Sequence, residues 1–337
     1  MHSPRSHPTT PRRTVLRHAL TAAGLLITWQ ALPAAAGTSI LFIGNSFTYG
    51  ALASVQGYNT GTVTDLVPGS SIGGVPALFK SFTVQKGLDY DVSLETQPGS
   101  NLSYHYNTAA RKALIDKPWD KVVMHGQSNL DFSAPNNPAS ISLYTGLLGA
   151  MFQARNPNVD ISLTATWSRA DLTYPATATG PWAGASIDQM GKDVHAGYLV
   201  AAANNPTVVD RVNPVGLAWN RAFADGVADN NPYDGIDPGK VNLWASDHYH
   251  ASNVGYYLHA LVVFGMVTGV DPRTLGVGET SAIDLGIAPG VAVALQNIAA
   301  AQIAAVPEPE TWLMFAMGGG LLAWIGKRRR ARLAVPA

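Results

Sequence analysis

The stretch Ser39-Ile40-Leu41-Phe42-Ile43-Gly44-Asn45-Ser46-Phe47-Thr48 decides the fold. Its first five residues have strand character and run straight into a Gly-Asn-Ser turn. A short apolar run bounded by a turn signal suits a strand buried on both faces. A serine at the tip of such a strand, where the chain enters a helix, has its hydroxyl exposed and its backbone N–H aimed outward. That geometry suits a nucleophile. The plain alternative is a turn in which Ser46 merely caps the next helix.

Working outward, Val92–Glu95, Lys121–Met124, Ile161–Ala165 and Val208–Val212 also read as short strands. Stretches of helical character lie between and after them, at Val75–Phe82, Ser103–Ile115, Ser140–Arg155, Gly184–Ala203, Val254–Val267 and Val291–Ala305. Parallel strands need crossover helices, so this alternation predicts a central parallel sheet covered on both faces, a three-layer α/β sandwich. Ligands of such sheets bind at the carboxyl ends of the strands. Two segments, Ser54–Gly74 and Leu172–Pro181, are rich in turn-forming residues and read as surface loops near those ends.

A nucleophilic serine needs a base. Outside the first 36 residues the histidines are His105, His125, His195, His248, His250 and His259. Asp247-His248-Tyr249-His250 is the informative group, because Asp-x-x-His can turn a carboxylate onto an imidazole, fixing its tautomer and stabilising the imidazolium. His250 is therefore the expected base and Asp247 its orienting partner. His248 with His250 also spells a two-nitrogen metal pair, which would make a metal-dependent hydrolase, but no His-Glu-x-x-His helix accompanies it. No metal or other cofactor is expected. His105 reads as a solvated helix residue or pocket lining, His125 as a packed, hydrogen-bonded residue and His195 as surface. Trp167, after the fourth strand, is a candidate to stack on a sugar ring, with core packing as the alternative.

The chain has 337 residues, 47% of them hydrophobic and 13% charged, and no cysteine. These figures exclude disulfide-stapled and wholly disordered classes. The formal net charge of zero conceals basic ends: residues 37–306 carry 13 basic against 20 acidic side chains, which argues against a nucleic-acid partner.

Arg12, Arg13 and Arg17 precede the mostly apolar Ala19–Leu32, and Ala34-Ala35-Ala36 offers a cleavage site, so 1–36 read as an export signal. The run Arg12-Arg13-Thr14-Val15-Leu16-Arg17 resembles a twin-arginine signal, with ordinary Sec export as the alternative. At the other end, Pro307-Glu308-Pro309-Glu310 is followed by an apolar segment, residues 311–326, and then Lys327-Arg328-Arg329-Arg330-Ala331-Arg332. A helix over 311–326 would reach about 24 Å, a marginal span of a hydrocarbon core of about 30 Å, with the basic tail cytoplasmic. Residues 307–337 resemble the PEP-CTERM sorting signal of Gram-negative bacteria, which implies exosortase as a partner, a transient membrane anchor and a mature protein in the periplasm, at the cell surface or in the extracellular matrix. Residues 37–306 are expected to form one domain.

Ser46 with Asp247 and His250 resembles the SGNH, or GDSL-like, hydrolase family, in its GNSFT-bearing branch. Ile40–Thr48 looks like the first sequence block, with Asn45 where most members have aspartate. Gln97-Pro98-Gly99-Ser100-Asn101 is similar to the second block and places Gly99 as an oxyanion donor. Val122–Ser128 is similar to the third, with Gln127 where asparagine is usual; Gln127 can donate the same amide hydrogen bond or can simply satisfy a buried backbone group. Val212–Trp219 is similar to a strand leaving the sheet, and Asn253–Leu258 to the branch's closing helix. The resemblance implies a flavodoxin-like SGNH-hydrolase fold, hydrolysis of an ester or acetylated glycan through an acyl-enzyme on Ser46, and an oxyanion hole built from Ser46, Gly99 and Gln127. The alternative is an SGNH-fold glycan-binding surface or matrix protein without turnover.

Overall fold

The computed structural model describes Met1 and residues 37–306. The expected export signal, apart from Met1, and the expected membrane helix 311–326 lie outside the described residues. Among the described residues no helix is long and apolar enough to cross a membrane.

Six parallel strands form one sheet: β1 (Thr38–Gly44), β2 (Thr64–Asp65), β3 (Tyr90–Thr96), β4 (Lys121–Met124), β5 (Asp160–Thr164) and β6 (Arg211–Asn213). Their spatial order is β2-β3-β1-β4-β5-β6. Leaving aside the two-residue edge strand β2, this is the 2-1-3-4-5 order of flavodoxin-like sheets. The helices are α1 (Ser46–Tyr49), α2 (Gly74–Gln85), α3 (Leu102–Asn107), α4 (Ala109–Ile115), α5 (Ala139–Arg155), α6 (Ile187–Ala203), α7 (Val215–Ala224), α8 (Asn253–Thr268), α9 (Thr280–Asp284) and α10 (Pro289–Ala304).

Strand β1 shows why the apolar run mattered. Ile40 and Phe42 face a core shared with α2, α7, α8 and α10, whereas Leu41 and Ile43 face one shared with α3, α5 and α6. All four are at most 2% exposed. Helices thus cover both faces, giving the three-layer sandwich that the SGNH resemblance implied. Because β1 is central and its neighbours β3 and β4 lie on opposite sides, the switch point of the sheet falls at the carboxyl end of β1, where Gly44 leads into Asn45 and Ser46.

The structure corrects several boundaries. The loop expected over Ser54–Gly74 contains β2 and two 3₁₀ turns. The expected helix Ser103–Ile115 breaks in two at Thr108, which is extended. The last strand begins at Arg211 and not Val208, because Val208 and Val209 close a turn on the Asn205 carbonyl. Val215–Trp219 is the start of α7, not a strand. There Pro214 stops the strand and Ala218 hydrogen-bonds back to the Pro214 carbonyl.

Candidate active site

The carboxyl ends of β1, β3 and β4 carry the loops that hold Ser46, Gly99 and Gln127. Gly44 ends β1 because nothing larger fits: a Cβ there would lie 2.3 Å from Thr48 Oγ1 and 2.5 Å from His125 Nε2. Those two atoms are themselves hydrogen-bonded at 2.7 Å. His125 Nδ1–H donates to the Gly126 carbonyl at 2.8 Å, so Nε2 accepts from the threonine hydroxyl and the ring is neutral. Burial pushes its pKa down to about 4, against the opposing pull of that carbonyl.

The cap of α1 is Asn45 and not Ser46. Asn45 Oδ1 accepts from the Phe47 N–H at 3.0 Å, while Nδ2 donates to the carbonyls of Ser100 at 2.9 Å and Gly126 at 3.1 Å. One buried amide thus ties the three strand-end loops together. The sequence showed an asparagine in place of aspartate but not the two carbonyls that require a donor. Asn45→Asp would aim a carboxylate at both of them, so it is expected to destabilise the fold by about 3 kcal/mol, read as a lower urea midpoint. An unchanged midpoint would contradict this strap.

With capping left to Asn45, Ser46 is free for other work. Its carbonyl accepts from the Tyr256 hydroxyl at 3.1 Å, which anchors α1 on α8. Among the described residues its hydroxyl has no hydrogen-bond partner, and its backbone N–H has no acceptor. Ser46 is 4% exposed.

Asp247 and His250 are joined as the spacing predicted. His250 Nδ1–H donates to Asp247 Oδ2 at 2.6 Å, and Oδ1 accepts the backbone N–H groups of His250 at 2.9 Å and Tyr249 at 3.1 Å. Partial burial would raise the Asp247 pKa, but these three donors outweigh it and hold the carboxylate below its usual range. An ionised Asp247 fixes the proton on Nδ1 and leaves the Nε2 lone pair available.

The loop carrying the pair is docked on the segment after β5. The His248 carbonyl accepts from Ala170 N at 3.1 Å and Asp171 N at 3.3 Å, the Tyr249 carbonyl accepts from Trp167 Nε1 at 3.1 Å, and the Arg169 guanidinium lies 3.7 Å from the centre of the Tyr249 ring. This brings His250 beside α1: its ring stands 5.8 Å, edge-on, from that of Phe47, the residue after Ser46. Among the described residues no hydrogen bond joins Ser46 Oγ to His250. Such bonds are often long in free enzymes and tighten once substrate is bound.

Gly99 occupies the exposed turn after β3 with φ of +66°, a conformation glycine adopts without strain. Among the described residues its N–H has no acceptor, while its carbonyl accepts from Gln127 Nε2 at 3.1 Å. One hydrogen of the Gln127 amide is therefore spent on Gly99 and the other is unspent; Oε1 is buried without a donor.

Three expectations need correction. Trp167 cannot stack on a sugar: it is 0% exposed, with one face stacked on Phe47 at 3.9 Å and the other on Trp219 at 4.9 Å. It is a core residue that braces α1 and the His250 loop. His105 is fully buried and not solvated. His195 is half-buried and lines a cleft of about 800 Å³ together with Arg211, apart from Ser46. His248 has φ of +56° and packs against Tyr233 at 4.3 Å. Among the described residues no three His, Cys, Asp or Glu side chains gather as a metal site.

Residues 305–330 match the PEP-CTERM protein-sorting motif, an address for export and sorting. Among curated proteins none matches the chain. A DUF4886 family protein from Bacteroides uniformis is similar in structure, with 17% identity, TM-score 0.53, and coverage of 82% of this chain and 99% of that one. A GDSL-like lipase from Parabacteroides merdae (14% identity, TM-score 0.47, 69% and 96% covered) and the acetylxylan esterase Axe2 from Geobacillus stearothermophilus (17%, 0.41, 67% and 92%) are more distant. The chain thus has a flavodoxin-like three-layer sandwich and carries a PEP-CTERM sorting motif at residues 305–330.

Proposed function

We propose that this protein is an exported serine ester hydrolase. The reading rests on one arrangement: an ionised Asp247 orienting His250, docked beside the helix that begins with Ser46, with the unengaged N–H groups of Ser46 and Gly99 nearby. His250 Nε2 takes the Ser46 proton as Oγ bonds to the ester carbonyl carbon. The resulting oxyanion is met by the N–H groups of Ser46 and Gly99 and the unspent amide hydrogen of Gln127. The imidazolium returns its proton to the departing alcohol as the ester C–O bond breaks. Water, deprotonated by Nε2, then attacks the acyl carbon and releases the acid, and the proton returns to Ser46.

In this reading the substrate is an ester of a cell-surface glycan, acetate being the favoured acyl group, in keeping with a sorting signal that sends the chain to the cell exterior. The segment 311–326 holds the chain in the membrane until exosortase removes it. The test is hydrolysis of 4-nitrophenyl acetate, butyrate and palmitate by the purified protein, with and without chelator. Turnover of the short esters that chelator leaves untouched is the expected result. A folded protein that binds glycan and turns over no ester would overturn this reading in favour of a matrix protein, and loss of turnover on chelation would favour a metal at His248 and His250.

A further inference from the structure

Strand β3 carries a carboxylate next to its last residue, inside the protein: Glu95 is 0% exposed. Its two oxygens meet different partners, Oε1 the Arg111 Nη1 at 2.9 Å and Oε2 the Nδ1 of His105. His105 is also 0% exposed, and its other nitrogen lies 2.9 Å from the Ser100 hydroxyl. That hydroxyl is in turn 2.9 Å from the Gln97 carbonyl. Arg111 closes the circuit, donating from Nη2 to the side-chain oxygen of Gln97 at 2.7 Å.

A count of hydrogens orders the chain. The contacts Glu95 to His105, His105 to Ser100 and Ser100 to Gln97 need one proton each. A carbonyl can only accept, so the serine proton goes to Gln97. With the serine proton so placed, His105 Nε2 is the donor to Ser100. This also separates Ser100 from Ser46. A Ser-His-Glu sequence of contacts resembles a nucleophile with its base, but here the serine receives a proton from the histidine, and Ser100 is only 8% exposed.

The network grips both ends of one turn, Gln97-Pro98-Gly99-Ser100. The carbonyls of Gly99 and Ser100 are held by Gln127 and Asn45, and the N–H groups of Gln97 and Ser100 are bonded to the carbonyls of Gly44 and Gln97. Pro98 has no N–H. The N–H of Gly99 is the one backbone donor of the turn left over among the described residues, and the backbone groups tied down around it fix its direction. Burying charged groups to shape a turn is costly where an apolar contact would serve, so a defined geometry is the expected return.

We propose that Glu95, His105 and Ser100 are positioning residues that aim the Gly99 N–H at the oxyanion; the inference rests on the esterase reading above. Removing an oxyanion donor altogether costs about 10²–10³ in kcat, so loosening one is expected to cost about tenfold. Ser100→Ala, which deletes one oxygen, is the primary test, with kcat, KM and the inhibition constant of phenylboronic acid, a tetrahedral mimic, measured on 4-nitrophenyl acetate. The expected result is about a tenfold loss in kcat and a matching weakening of boronate inhibition, with KM within about twofold and recovery in Ser100→Thr. His105→Gln, which retains a single donor, should fall in the same direction. Wild-type kcat in Ser100→Ala, or a change confined to KM, would overturn this inference alone. Absence of turnover in the unaltered protein would instead remove the esterase reading on which it stands.

Discussion

Ser46→Ala is expected to lower kcat/KM for a short-chain ester by about 10⁴-fold or more, with the melting temperature unchanged. Both halves follow from the same contacts. The Ser46 hydroxyl makes no hydrogen bond among the described residues, so its removal leaves no orphaned partner and only a trivial void. The capping of α1 rests on Asn45, and the anchoring of α1 on the Ser46 carbonyl, both of which survive the substitution. What disappears is the atom that forms the acyl bond. Some acceleration over water would persist, since the N–H groups of residue 46 and Gly99 still face an oxyanion. A loss of less than tenfold in a folded variant would move the chemistry elsewhere.

Acidification from pH 7 to pH 4.5 is expected to unfold the protein more readily, long before its ion-paired carboxylates are protonated. His125 and His259 are each 2% exposed. Burial pushes their pKa values down to about 4 and about 3, and in His259 the neighbouring His125 adds to the effect. In the unfolded chain both titrate near 6.5. A group whose pKa is lower in the folded state contributes its full stability above the unfolded value and loses it as pH falls toward the folded one. At about 1.4 kcal/mol per pH step, each ring accounts for on the order of 3 kcal/mol between pH 6.5 and 4. The two together rival the net stability of an ordinary domain. His195, pushed down to about 4 by burial, acts in the same direction. Urea midpoints at pH 7.5, 6, 5 and 4.5 should fall steadily through this window, and a flat profile down to pH 4.5 would contradict the neutral buried rings.

The parts of this protein that were legible in sequence are those fixed by local pattern. Ser39–Ile43 announced a doubly buried strand because each of its apolar side chains had to find a covered face, and Asp247–His250 announced a carboxylate–imidazole pair because a turn with two intervening residues suffices to close it. Long-range partnership was invisible. Nothing near Asn45 in sequence reveals that its amide spans Ser100 and Gly126, 55 and 81 residues away. Glu95 looked like an ordinary strand end and His105 like a solvated helix residue or pocket lining, so their pairing, ten residues apart, was missed. Trp167 was ambiguous for the opposite reason: an aromatic at a strand end suits either a ligand or the core, and only the stacking on Phe47 and Trp219 decides. The two-residue β2 carries no apolar alternation at all, which hid it in a stretch of turn residues.

The central claim, that Ser46 is the nucleophile, is tested most directly by covalent capture. The purified protein would be treated with a fluorophosphonate, digested and analysed by mass spectrometry for the modified peptide. The account predicts one equivalent of phosphonate on Ser46, no labelling of Ser46→Ala, and slow labelling when His250 is replaced. An adduct on Ser100, or a folded protein that takes up no phosphonate at all, would contradict it.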